Sequence, residues 1–160
     1  MNKSAVHLMM LEKLATDLDV LQRAAQTAYE AATHEENIAE NKYDTLGLEA
    51  SYLATGQARR VEEIRLALKN CQAMTLAPFE AALGIQVGAL VALEAQDGQV
   101  RWLFLAPDAA GMTLTVDGQP LTVITPRSPL GAALLGKHPD DDVQITVSGT
   151  TQTYTVRESE

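Results

Sequence analysis

The chain is poor in the residues that most often announce a chemistry. It has one cysteine in 160 residues, so no disulfide can form within it, and Cys71 is expected to be a buried, unreactive thiol. Aromatic residues make up 4%, with one tryptophan and two phenylalanines. Phe79, Phe104 and Trp102 are too few to line the apolar pocket that a peptidyl-prolyl isomerase needs. There is no run of roughly 18 apolar residues, so no membrane-spanning helix is expected. The first twenty residues mix charge with heptad periodicity and do not read as a signal peptide, which points to a cytoplasmic protein. Positive charge is scarce: 12 basic residues face 21 acidic ones, for a net charge of −9. Up to Thr75 there are 8 basic and 11 acidic residues, and beyond it 4 and 10. Neither half can neutralise a phosphate backbone, so no direct, sequence-specific nucleic-acid binding is expected. An acidic protein can still dock on a basic site of a larger partner.

The stretch from Thr33 to Asp44 carries four carboxylates and stands between two long heptad-patterned segments. Before it, Leu11, Leu14, Leu18, Leu21, Ala25, Ala28 and Ala32 step by three or four. After it come Tyr43, Gly47, Ala50, Ala54, Val61, Ile64, Leu68 and Cys71, with Gln57 as the one interruption. Such stepping is the seam of a coiled coil. The two series mirror one another about Asn37–Ile38, pairing Ala28 with Gly47, Leu21 with Ala54 and Leu14 with Val61. An antiparallel helical hairpin over 1–75 follows, small-residue and thin towards an acidic tip, thicker at its base. Helices are expected over about Ser4–Glu36, which lacks glycine and proline, and Ala39–Met74. A monomeric pair satisfies its own seam, so the chain is read as a monomer. His34, without a second His or Cys ligand, makes a poor zinc site.

From Gly84 the period becomes two. Val87 to Leu93, Asp97-Gly98 and Val100 to Leu105 form one β-hairpin signal. Met112 to Val116, Asp117-Gly118 and Leu121 to Thr125 form a second; Val143 to Val147, Ser148-Gly149 and Thr151 to Val156 form a third. Between the last two, Ser128, Pro129 and Gly136 delimit a short helix as N-cap, N1 and terminator. The fold class is α+β: the hairpin, a linker at 76–83, and a mostly antiparallel β domain over 84–160 carrying one short helix.

The run from Thr125 through Ser128, Pro129, Leu130 and Gly131 to Gly136 and Lys137, then Asp140 to Val143, resembles the C-terminal domain of bacterial Gre transcript-cleavage factors (GreA/GreB). Glu12-Lys13-Leu14, Asp17-Leu18, Glu40-Asn41 and Gly56 with Arg59, Arg60, Val61 and Glu62 extend the resemblance along nearly the whole chain. It implies an FKBP-like C-terminal domain and RNA polymerase as partner. The C-terminal domain, with Ser128, Pro129 and Lys137, would dock at the rim of the secondary channel, and the hairpin would reach down that channel. Tip carboxylates would then help hold a Mg²⁺ ion jointly with the polymerase, which itself cleaves backtracked RNA. The chain would be a factor with no intrinsic cofactor rather than an enzyme.

Carried over residue by residue, the family's Asp-x-x-Glu-Asn tip falls on Asn37, Ile38, Ala39, Glu40 and Asn41. Glu40 is in place, while Asn37 offers a ligand oxygen without the charge. Glu36 stands one helical turn before Glu40, and Asp44 one turn after it. The catalytic candidates are therefore Glu40, Glu36 and Asp44, and the shared-metal candidates Glu40, Glu36 and Asn37. The plainer reading makes these carboxylates a solvated helix end, with Thr33 and Glu36 as a capping box. Arg59, Arg60 and Arg65 would face an acidic partner or solvent. Two further functions stand as alternatives, a channel-occupying regulator that does not promote cleavage and a structural coiled-coil adaptor; the scarcity of aromatics weighs against a prolyl isomerase.

Overall fold

The computed structural model describes residues 1–34 and 46–160. Two compact units emerge: residues 12–69, and residues 1–11 together with 70–160. Two helices supply the first, α1 (Lys3–Thr33) and α2 (Leu46–Ala73). Asn2 starts α1, its side-chain oxygen accepting from Ala5 N at 3.0 Å. Thr33 ends it. There the hydroxyl donates back to the Tyr29 carbonyl at 3.0 Å; Glu36, the other half of the expected capping box, lies outside the described residues.

Within 12–69 the helices run antiparallel. Asp17, Val20 and Leu21 share a groove with Arg60 and Ile64, and Ala25 and Tyr29 share another with Ala54, Ala58 and Val61. Leu14, Ala28, Val61, Ile64 and Ala67 are buried, whereas Leu18, Leu21, Ala25, Ala54 and the interrupting Gln57 are half-buried. The expected face is thus the buried one. Leu21 and Ile64 line one groove, and Ala25, Tyr29, Ala54 and Val61 line the other. A seam that repeats every turn specifies which face meets the partner.

The second unit is a six-stranded sheet: β1 (Leu90–Ala95), β2 (Val100–Leu105), β3 (Thr113–Val116), β4 (Gln119–Ile124), β5 (Asp142–Val147) and β6 (Thr150–Ser159), with α3 (Pro129–Leu134) before β5. Their order is β3-β4-β2-β1-β6-β5. Each expected hairpin forms, and β1–β6 is antiparallel too, with a bulge between Ala92 and Leu93; β2–β4 is the parallel pair. Positive φ at Asp117 and Gly118 (50° and 75°) and at Ser148 and Gly149 (52° and 77°) makes both two-residue turns match the strand twist.

Strand β1 starts at Leu90, later than the alternation from Val87 predicts. Gly88 explains the delay. Its φ is +99°, and a Cβ there would meet the Thr75 carbonyl at 2.9 Å. From Ala89 to Leu93 every residue is buried, because both faces of β1 are covered. Val91, Leu93, Leu103, Leu105, Val143, Tyr154 and Val156 pack with Leu134 of α3. By strand parity, Leu90, Ala92, Trp102 and Phe104 occupy the opposite face. Phe104 lies there with its ring 6.5 Å from that of His7, whose Nε2 is 2.8 Å from the Cys71 carbonyl.

Candidate functional site

Glu36, Asn37, Glu40 and Asp44, on which the metal and catalytic expectations fall, lie outside the described residues. The helices on either side are described, with 31 residues in α1 and 28 in α2. His34, at the end of the first described stretch, is exposed. Among the described residues no group of three His, Cys, Asp or Glu is placed to hold a metal.

The second candidate set surrounds α3. Ser128 has extended backbone (φ −78°, ψ 152°), and its Oγ accepts from Gly131 N at 3.0 Å. The same hydroxyl donates to the Thr125 carbonyl at 2.8 Å, so its one donor and one of its two acceptor sites serve the helix start. Pro129 follows with its fixed φ and is exposed. Gly131 is required for space: a Cβ there would lie 2.0 Å from the Thr125 oxygen. At the far end Gly136 takes φ +76°, and Lys137 accepts from Ile85 N through its carbonyl at 2.8 Å. The Lys137 side chain is half-exposed and forms no ion pair with a described residue. Ser128 and Pro129 therefore adjoin one another, while Lys137 stands beyond the opposite end of a six-residue helix roughly 9 Å long.

The acidic run after Lys137 serves the turn. Asp141 accepts from His138 N at 2.8 Å, and Asp142 accepts from Thr155 Oγ at 2.7 Å. Glu94, ordinarily a carboxyl of pKa near 4.5, is held lower by the hydrogen bond from Arg157, with burial opposing and the Arg157 charge assisting. This pair joins β1 to β6 beside the bulge.

Cys71 is fully buried, and its thiol is pushed up to about 11, chiefly by burial. A backbone N–H of Asp108 on the sulfur opposes that rise, and the Asp108 charge adds to it. The thiol stays protonated at neutral pH and is a poor nucleophile. Asp108 is a residue the sequence reading passed over. Its carboxylate accepts from Asn70 Nδ2 at 3.3 Å and Ala109 N at 2.8 Å, with Arg127 3.8 Å away. A Pro-Asp pair four residues before Gly111 was the signal for this turn.

The three aromatics weighed for an isomerase pocket do not converge. Phe79 packs on the α3 side of the sheet and meets His138 edge-on at 6.0 Å, whereas Phe104 and Trp102 belong to the opposite face.

No protein-family model matches the chain, and no curated protein matches it. Solved structures do. GreA factor homolog 1 (Gfh1) of Thermus thermophilus aligns at 18% identity over 94% of both chains, with a TM-score of 0.37. Gfh1 of Thermus aquaticus aligns at 20% over 92% of both, with a TM-score of 0.38. The transcription elongation factor GreA/GreB of Nitrosomonas europaea aligns at 16% identity over 62% of this chain and 78% of its own, with a TM-score of 0.37. These are distant likenesses.

Proposed function

We propose that this protein is a cytoplasmic transcription regulator that binds RNA polymerase and inserts its helix pair into the secondary channel, modulating cleavage of backtracked transcripts. One observation carries the reading. A stretch of four carboxylates stands between helices of 31 and 28 residues, on a chain whose Ser128–Lys137 and Asp140–Val143 runs carry the Gre-like pattern. At about 1.5 Å per residue such helices are roughly 40–45 Å long, enough to carry a tip deep into a narrow passage. Ser128, Pro129 and Lys137 belong to the docking domain. The polymerase performs the cleavage and this chain contributes ligands. Glu40, supported by Glu36 and Asp44, would help hold a Mg²⁺ ion shared with the polymerase; Mg²⁺ needs one or two protein carboxylates in such a site. That ion supplies the activation of water and the stabilisation of charge on the leaving oxygen.

A second reading rests on Asn37. It stands where the family's tip has Asp, and an amide oxygen brings no negative charge to a cation. Fewer charges at the tip favour a regulator that occupies the channel without promoting cleavage.

The deciding experiment uses stalled, backtracked elongation complexes in Mg²⁺ buffer, with wild type beside Glu40→Ala. Cleavage that rises with wild type and is lost in the variant establishes a cleavage-promoting factor. Binding with no added cleavage, or with inhibition, establishes the channel-occupying regulator. Absence of binding removes both readings and leaves the adaptor.

A further inference from the structure

The segment from Glu80 to Ile85 is held in place by hydrogen bonds. Leu83 N and Gly84 N both donate to the Glu80 carbonyl, at 3.0 and 2.9 Å. Gly84 has φ +68°, and a Cβ on it would lie 2.5 Å from the Gly136 oxygen. Ile85 exchanges two backbone hydrogen bonds with the chain after α3, donating to Lys137 at 2.8 Å and accepting from Gly136 at 2.9 Å. The His138 ring closes the other side, its Nε2 lying 2.7 Å from the Ala81 carbonyl.

Here Leu83 is 55% and Val87 38% exposed, beside a cavity of about 50 Å³ that Phe79 and Ala89 also line. Glu80 and Glu160 line it as well, and neither is ion-paired with a described residue. A clamped apolar surface pays little ordering entropy on association. Unpaired carboxylates beside such a cavity attract a cation, and the net charge of −9 steers basic surfaces towards it.

We propose that this cleft docks a partner-protein segment that presents one branched apolar side chain beside a lysine or arginine. The inference rests on RNA polymerase being the partner, and it adds a contact separate from Ser128 and Pro129. Leu83 and Val87 take the apolar side chain, while Glu80 and Glu160 take the cation.

The test measures equilibrium binding of the full chain to core RNA polymerase at low and moderate salt. Wild type is compared with Leu83→Ser and with the double charge reversal Glu80→Lys plus Glu160→Lys; circular dichroism checks that each variant is folded. Leu83→Ser should bind about tenfold more weakly with the salt dependence retained. Charge reversal should also weaken binding at low salt and flatten its salt dependence. Folded variants that bind like wild type overturn the docking inference and leave the polymerase reading standing. A wild-type chain that does not bind polymerase overturns both.

Discussion

In the sheet unit, strand β1 is covered on both faces, and Phe104, Leu105, Val91 and Val156 have no exposed surface. Along residues 12–69 burial is confined to one seam, and large apolar residues such as Val20, Tyr29, Tyr52 and Leu53 stay more than half exposed. The contrast is geometric. A sheet can be packed on two sides, whereas each helix of a pair has one neighbour and one stripe to bury. Fully burying a large apolar side chain contributes roughly 1.5–3 kcal/mol, so tertiary stability concentrates in the sheet unit. The helix pair depends more on helix propensity, on small residues at the seam, and on exposed i,i+3 and i,i+4 ion pairs such as Arg60–Glu63 and Asp19–Arg23.

Phe104→Ala would test that contrast most severely. It empties a fully buried ring site beneath His7 and should cost about 3–5 kcal/mol in denaturant unfolding. A loss below about 1 kcal/mol would mean that the sheet unit is not the stable part of the molecule.

Ser128→Ala should cost about 1–2 kcal/mol, because it strips the α3 cap and leaves Gly131 N and the Thr125 carbonyl each without a partner they now have. Ser128→Asp keeps an acceptor for Gly131 N and should recover part of the loss. Equal stabilities for the two variants would show that capping is not the hydroxyl's contribution.

The helix pair should respond in the opposite direction to a change in propensity. Gly56 lies inside α2, and a Cβ added there meets no atom within 4 Å, so Gly56→Ala should stabilise the helix by about 1 kcal/mol. Helix melting followed by circular dichroism reads this directly; a destabilised variant would show that backbone freedom at Gly56 matters to the folded pair.

The smallest effect concerns pH. The Glu94 carboxyl is held below its ordinary value by Arg157, so its contribution to stability is present above about pH 4.5 and is lost as pH falls through the lowered value. The stability difference between wild type and Glu94→Gln should therefore shrink on acidification. A gap that stays constant from pH 7 to pH 3 would rule out ion pairing as the source of the shift.

Local chemistry made much of the architecture legible. The uninterrupted helical composition of α1, the Asp117-Gly118 and Ser148-Gly149 turns, and the Ser128–Pro129 start of α3 each follow from a few adjacent residues. The candidate tip was likewise found from sequence, and Glu36, Asn37, Glu40 and Asp44 remain sequence-based candidates. The Ser128, Pro129 and Lys137 set was legible as a motif, but the different surroundings of its members were not. Ser128 spends its hydroxyl on its own helix, while Lys137 keeps its side chain half-exposed.

By itself, then, the sequence determined which segments become helices and hairpins, which helix face is apolar, and where the negative charge gathers. Tertiary structure decided the parallel β2–β4 pairing, the place of β6 beside β1, and the bonding of residues 81–85 to the chain just after α3. The reason is the range of the forces. Propensity, capping and turn sterics act over a few residues. Strand partnership is set when surfaces distant in sequence compete for the same buried space, and alternating apolar strands offer several nearly equivalent ways to fill it.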